Sequence, residues 1–238
     1  MGFYQQISKY YDDIFPLSPA AEAFFLKRFA EGNAKRVLDA ACGSGSYVRA
    51  FIDRGYDAYG IDLDPAMVNI ARSKTSHERI VQGDMLKASE LFSQGFDFIL
   101  CIGNSLVHLQ DENTILQALQ SFHSLLNRGG MLALQIINYD RILGQGLEGL
   151  PTIESPEAGL TFERKYRYDE KSGLIHFDTV LKVPEGKYKN SITLYPLKAS
   201  SLVSLLVRAG FSNTKLYGDF KESQWSPESY ATIATASV

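Results

Sequence analysis

From residue 36 onward, short apolar runs of strand length alternate with segments whose apolar positions recur at helical spacing. RVLDAA (36–41), DAYGIDL (57–63), ERIVQGD (78–84), FDFILCI (96–102) and MLALQII (131–137) read as five strands. SYVRAFIDRG (46–55) and PAMVNIARSK (65–74) read as helices, the second with proline at its first position. Asp111 is placed to cap a longer helix whose stripe is Ile115, Leu116, Leu119, Phe122, Leu125 and Leu126, with Gly129 and Gly130 expected to end it. Strands alternating with helices imply a parallel sheet with crossover helices.

The rhythm then breaks. Residues 139–195 hold no convincing helix, and TFERKYRYD, LIHFDTVLKV and NSITLYPL alternate in polarity or are rich in β formers, separated by EKSG and PEGK. A structureless loop of that length is improbable, so an antiparallel β insertion is expected. The α/β pattern resumes with ASSLVSLLVRAGF (199–211) and two closing strands, NTKLYGD and ESYATIATA. A helix near Ala20–Ala30 should pack across the open edge. The expected fold is α/β, a Rossmann-like sheet of seven mostly parallel strands with helices on both faces and the β insertion after strand 5. Residues 1–138 and 196–238 would form the main domain, with 1–35 an N-terminal helical lid and 139–195 a cover over the substrate.

Composition narrows the function. The chain has 238 residues, 45% hydrophobic and 21% charged, ordinary for a globular protein. No apolar run is long enough to span a bilayer, and MGFYQQISKYYDDIF does not read as a secretory signal. Cys42 and Cys101 offer no disulfide framework, so a cytoplasmic location is expected. A net charge of -3 argues against a nucleic-acid partner. The densest basic run, Arg164 to Lys171, is interleaved with Glu163, Asp169 and Glu170 and reads as a solvated strand edge. Neither a membrane partner nor a metal site is expected, and oligomeric state is left open.

The chemistry gathers at strand ends. VLDAACGSGSYV (37–48) puts Gly43 and Gly45 between a strand and a helix, where glycine lets the backbone approach a ligand. Asp62 ends the second strand, 19 residues after Gly43, where a carboxylate can accept from ribose hydroxyls. A dinucleotide fingerprint needs a third glycine, and Val48 stands there instead. Asp39, just before the turn, would repel a pyrophosphate but suits a cationic ligand. S-adenosylmethionine, with its ammonium and sulfonium, is therefore favoured over NAD.

These motifs resemble those of the class I, Rossmann-like S-adenosylmethionine-dependent methyltransferases. The resemblance runs from Ile7 to Ala236 through VLDAACGSG, GIDLDPAMVNIAR (60–72), VQGDML (81–86) and FDFILCIGNSLVHL (96–109). It implies that Asp39 and the backbone at Ala41, Gly43 and Gly45 hold the methionine moiety, and that Asp62 binds the ribose. Leu63 and Met67 would border the adenine, Asp84 would accept from its amino group, and Met85 would lie beside it. Cys101 and Ile102 would line the methyl pocket, although a role as small buried hydrophobes is the preferred explanation for both Cys42 and Cys101.

For the acceptor, Gly103-Asn104-Ser105-Leu106 replaces the Asn/Asp-Pro-Pro-aromatic stretch of base-methylating enzymes, which disfavours a flipped base. GNSLVHL and QIINYDRIL (135–143) resemble the corresponding stretches of the glycine and sarcosine N-methyltransferases. The resemblance implies a small-molecule acceptor, most plausibly an amine nitrogen. An O-methyltransferase of a small metabolite, a non-catalytic S-adenosylmethionine-binding module and an NAD-dependent oxidoreductase are the competing classes. Asn104 and His108 would share one face of a helical turn, His108 as a base or as a partner of a backbone carbonyl. Arg141, Arg164 and Arg167 could bind a substrate carboxylate, with Arg141 preferred because it follows Asn138 and Tyr139 in the family motif; Tyr11 resembles the tyrosine of an N-terminal lid.

Overall fold

A computed structural model describes residues 7–238. The first six residues of the expected lid lie outside the described residues. The main sheet contains β1 (Arg36–Ala40), β2 (Asp57–Asp62), β3 (Ile80–Gln82), β4 (Phe96–Cys101), β5 (Leu126–Ile137), β10 (Ser212–Tyr217) and β11 (Ala231–Ser237). Its order is β10-β11-β5-β4-β1-β2-β3, with β1 to β5 parallel and β11 antiparallel to both neighbours.

The apolar runs 37–38, 98–101 and 132–134 at the centre of the sheet follow from burial on both faces. Val37, Phe98 and Leu100 pack on one side with Phe25, Phe29, Val48, Phe51 and Val68, from the helices Pro19–Glu31, Ser46–Asp53 and Pro65–Lys74. Leu38, Ile99 and Cys101 face the other side, with Ile115, Leu119 and Phe122 of Glu112–Leu125 and Leu202 and Leu206 of Ala199–Arg208. Helix starts are set by side-chain caps: Ser18 accepts from the Ala21 amide, Asp64 from Ala66 and Met67, and Asp111 from Thr114.

Three readings are corrected. Asn138 caps a short helix, Tyr139–Gly144, inside the stretch expected to hold none. At six residues it is too short to show periodicity. The helix expected to run to Gly129 and Gly130 stops at Leu125, and β5 begins at Leu126. The insertion also has a strand not foreseen, β6 (Gly149–Ser155), masked in the sequence by Pro151, which an edge strand tolerates. With β7 (Leu160–Asp169), β8 (Leu174–Val183) and β9 (Gly186–Leu194) it forms an antiparallel sheet of order β6-β7-β8-β9.

Two contacts bring this second sheet over the carboxyl ends of β1 and β4. Gln110, just past β4, donates to the Thr193 carbonyl at 3.1 Å and accepts from its hydroxyl at 2.8 Å. Ile7 and Ile14 of the N-terminal segment pack with Leu160, Phe162 and Leu181, while Lys9 pairs with Glu185 at 2.5 Å. The same segment reaches the first glycine turn, where Asp12 accepts from Ser44 at 2.5 Å and Ser46 at 3.0 Å and pairs with Lys74 at 2.5 Å.

Candidate active site

In the strand order, β1 continues to β2 and β3 on one side while β4 and β5 lie on the other. The carboxyl ends of β1 and β4 therefore open at a topological switch point, where α/β sheets bind ligands. The turn after β1 is built from left-handed backbone: Ala41, Gly43 and Gly45 have φ of 63°, 54° and 75°. Gly45 also lies against the Pro65–Lys74 helix, and a Cβ there would sit 2.7 Å from the Ala71 Cβ. The Gly43 amide donates to the Asp62 carboxylate at 2.8 Å, and the Asp64 amide donates to its other oxygen at 2.9 Å. Asp62 is thus held by two N–H groups beside the turn.

Asp39 is 2% exposed, and one of its carboxylate oxygens is buried without a hydrogen-bond partner. Burial first, then the nearby Asp62, push its carboxyl well above the usual carboxylate range. Burial also raises Asp62. An unpaired buried carboxylate oxygen is costly and signals a missing donor.

Asp39 and Ala41 line a cavity of about 530 Å³ that extends under the second sheet. From the lip after β4 it receives Ile102, Asn104 and His108. Asn104 is left-handed (φ 68°), accepts from the Ile137 amide at 3.0 Å and donates to the Tyr139 hydroxyl at 3.1 Å, so its position is fixed from two sides. His108 ends the short turn Ser105–His108, and burial lowers its imidazole to about 4. It is therefore neutral at pH 7. Tyr11 reaches the cavity from the N-terminal segment, and its ring lies over Gly43.

Other residues singled out in the sequence stand elsewhere. Asn138 is fully buried; its amide donates to the carbonyls of Ser226, Pro227 and Ser229, and its oxygen accepts from Asp140. Arg141 does not line the cavity, and its guanidinium lies 5.6 Å from the Tyr230 ring centroid. Met67 and Cys101 are buried and line none of it, whereas Leu63 is 67% exposed. Asp84 accepts from the Leu86 amide at 3.0 Å, and Met85 packs partly buried against the core.

Arg164 does line the cavity. One guanidinium nitrogen donates to the Pro151 carbonyl at 2.5 Å, and its buried Nε has no partner. Tyr166, Phe177, Gln135 and Tyr230 join it there without having been singled out. The alternation of β7 carried a signal for Tyr166, because Arg164 and Tyr166 share one strand face. Nothing local marks Tyr230, which arrives on the 218–230 loop.

Comparison with known proteins agrees with this architecture. Residues 37–130 match the methyltransferase domain family. A glycine/sarcosine N-methyltransferase of Aphanothece halophytica is 33% identical over 89% of this chain and 80% of its own length. The chain belongs to the glycine/sarcosine N-methyltransferase family. A glycine N-methyltransferase of Mus musculus is 26% identical over 84% of the chain and 78% of its own length. Among solved structures, an S-adenosylmethionine-dependent methyltransferase from Clostridium acetobutylicum superposes with a TM-score of 0.82 at 16% identity, covering 100% of this chain and 99% of that one. The amino pentose methyltransferase CalS10 from Micromonospora echinaspora gives 0.72 at 19%, covering 100% and 97%. These two likenesses concern the fold.

As a member of this family the protein is an S-adenosylmethionine-dependent methyltransferase, and the competing oxidoreductase and non-catalytic classes are not favoured. Its own residues fit that donor. The orphaned Asp39 oxygen has acceptor capacity that an ammonium would fill, and Asp62, held beside the glycine turn by two N–H groups, keeps lone pairs that a diol could use. No phosphate-binding arrangement is needed. Among the described residues no helix is long and apolar enough to cross a membrane.

Proposed function

We propose that the enzyme methylates the nitrogen of a small amine bearing a carboxylate. The observation that carries this is Arg164, the one lysine or arginine among the described residues lining the cavity, with a buried Nε that lacks a partner. A guanidinium edge matches a carboxylate in geometry and charge.

S-adenosylmethionine supplies a methyl group on a sulfonium sulfur. Asp39 would hold its ammonium, Asp62 its ribose hydroxyls, and Leu63, Met67, Asp84 and Met85 would form the adenine side. Arg164 would fix the acceptor carboxylate, leaving the amine toward Asn104 and His108. Holding the reactants in line supplies much of the rate acceleration. A largely apolar cavity disfavours a bound ammonium, so the acceptor amine sheds its proton to solvent on entry. With its imidazole lowered to about 4, His108 is a weak base and serves as a hydrogen-bond acceptor for the neutral amine. The same property disfavours a hydroxyl acceptor, which needs a stronger base. Tyr11 would close over the donor, within a lid formed by residues 1–35, and residues 139–195 would cover the acceptor. The lip lacks the prolines and aromatic of base-methylating enzymes, which supports an acceptor other than nucleic acid; two cysteines without a disulfide support a cytoplasmic setting.

The test is methyl transfer to amino acids and to their carboxamides. Transfer should require the free carboxylate, and Arg164→Ala should raise KM at least tenfold while Arg164→Lys recovers part of it. Equal rates on acids and amides would refute the carboxylate role.

A further inference from the structure

The wall of the cavity beside Arg164 is more apolar than a glycine-sized acceptor needs. The whole cavity, about 530 Å³, is large enough to hold an acceptor with a side chain beside the methionine end of the donor. Asp62, Leu63 and Asp84 do not line it, so it serves the methionine end of the donor and the acceptor rather than the adenosine end.

Register shows what surrounds the guanidinium. Arg164 stands opposite Leu150 on β6 and Thr179 on β8. One row along the same face, Tyr166 stands opposite Phe177, their rings 5.4 Å apart. The next row carries Ile175 opposite Leu194. Leu150, Tyr166, Phe177 and Leu194 all line the cavity. A single cation therefore sits at the margin of a continuous apolar and aromatic shelf. A side chain laid on that shelf would exchange water for apolar surface, which favours binding in proportion to the area covered. Glycine and sarcosine carry no side chain to use it.

We propose, building on the carboxylate reading of Arg164, that the preferred acceptor is an α-amino acid with a bulky apolar side chain, aromatic or branched aliphatic, packed on Tyr166, Phe177 and Leu194. The amine lone pair forms the new N–C bond as the sulfonium C–S bond breaks. The neutral thioether, S-adenosylhomocysteine, leaves, and the acceptor's surplus proton goes to solvent.

Initial rates of S-adenosylhomocysteine release, measured with L-phenylalanine, L-leucine, glycine, sarcosine and L-phenylalaninamide, test this. The expected result is a kcat/KM for phenylalanine or leucine at least tenfold above glycine. Phe177→Ser and, independently, Leu150→Gln should bring that ratio toward one, with circular dichroism and the melting temperature as the control for folding. Glycine or sarcosine matching or outrunning every bulky amino acid would overturn the inference, as would no transfer to any of them. Phenylalaninamide performing as well as phenylalanine would remove the carboxylate reading yet leave the size preference standing, so the two failures are distinguishable.

Discussion

The Asn138 side chain donates to the Ser229 carbonyl at 2.9 Å, tying the end of β5 to the residue before Tyr230. The same amide reaches the carbonyls of Ser226 and Pro227, both at 3.1 Å, and the Asn138 backbone amide donates to Tyr230 at 3.2 Å. Tyr230 lines the cavity, so the loop that Asn138 holds forms part of the cavity wall.

Asn138→Ala removes three side-chain hydrogen bonds from a fully buried position and should cost roughly 1–3 kcal/mol, the carbonyls of Ser226, Pro227 and Ser229 being left partly to solvent. Asn138→Asp should be worse, because a carboxylate cannot donate and would face those carbonyls. Thermal denaturation checks this: a drop of several degrees is expected for Ala and a larger one for Asp, and an unchanged melting temperature for both would rule out the clamp.

The centre of the main sheet was legible because its strands are buried on both faces, which writes apolar runs such as residues 98–101, and because Asp111 and Pro65 mark helix starts locally, within a few residues. The glycine turn and Asp62 were legible for the same reason: their spacing is a property of one β-α-β unit. The Asn138 clamp was not, because its partners are 88 to 91 residues away. The choice between Arg141 and Arg164 was not either. Both are arginines near apolar residues, and only the docking of the second sheet decides which of them reaches the cavity.

His108 should make the protein acid-labile. Burial lowers its imidazole from 6.5 to about 4 in the folded chain. Between those values the unfolded chain binds a proton that the native one does not, so stability falls as pH drops from about 6.5 toward 4 and is unaffected by this group above 6.5. The contribution is at most about 3.5 kcal/mol at roughly 1.4 kcal/mol per unit. Urea unfolding of the wild type and of His108→Gln at pH 7 and pH 4.5 isolates it. The variant should lose less stability on acidification, and equal losses would sink the idea.

Gly45 tests the packing side of the glycine turn. Its φ of 75° is strained for any residue with a Cβ, and that Cβ would meet the Ala71 Cβ at 2.7 Å. Gly45→Ala should therefore destabilise by about 2–4 kcal/mol from strain and overpacking together. Combining it with Ala71→Gly should recover the steric part but not the backbone part. Chemical denaturation of Gly45→Ala, Ala71→Gly and the double variant gives the coupling between the two sites, and strictly additive losses would exclude the Ala71 contact as a cause.

Asp39 links cofactor binding to protons. In the free protein, burial and then the neighbouring Asp62 hold its carboxyl well above the usual range. A cationic donor group beside the orphaned oxygen stabilises the ionised form, so its pKa falls on binding and a proton is released. Affinity for S-adenosylmethionine should accordingly weaken as pH falls through the free-state pKa, by up to about tenfold per pH unit below it. Calorimetry of the wild type in buffers of different ionisation enthalpy, run over a pH series, should report net proton release that grows as pH falls and Asp39 becomes protonated in the free protein. Asp39→Asn should bind more weakly and release fewer protons. Proton release undiminished in that variant would assign the linkage to Asp62, whose carboxyl burial also raises, and Asp62→Asn would then be the variant that abolishes it.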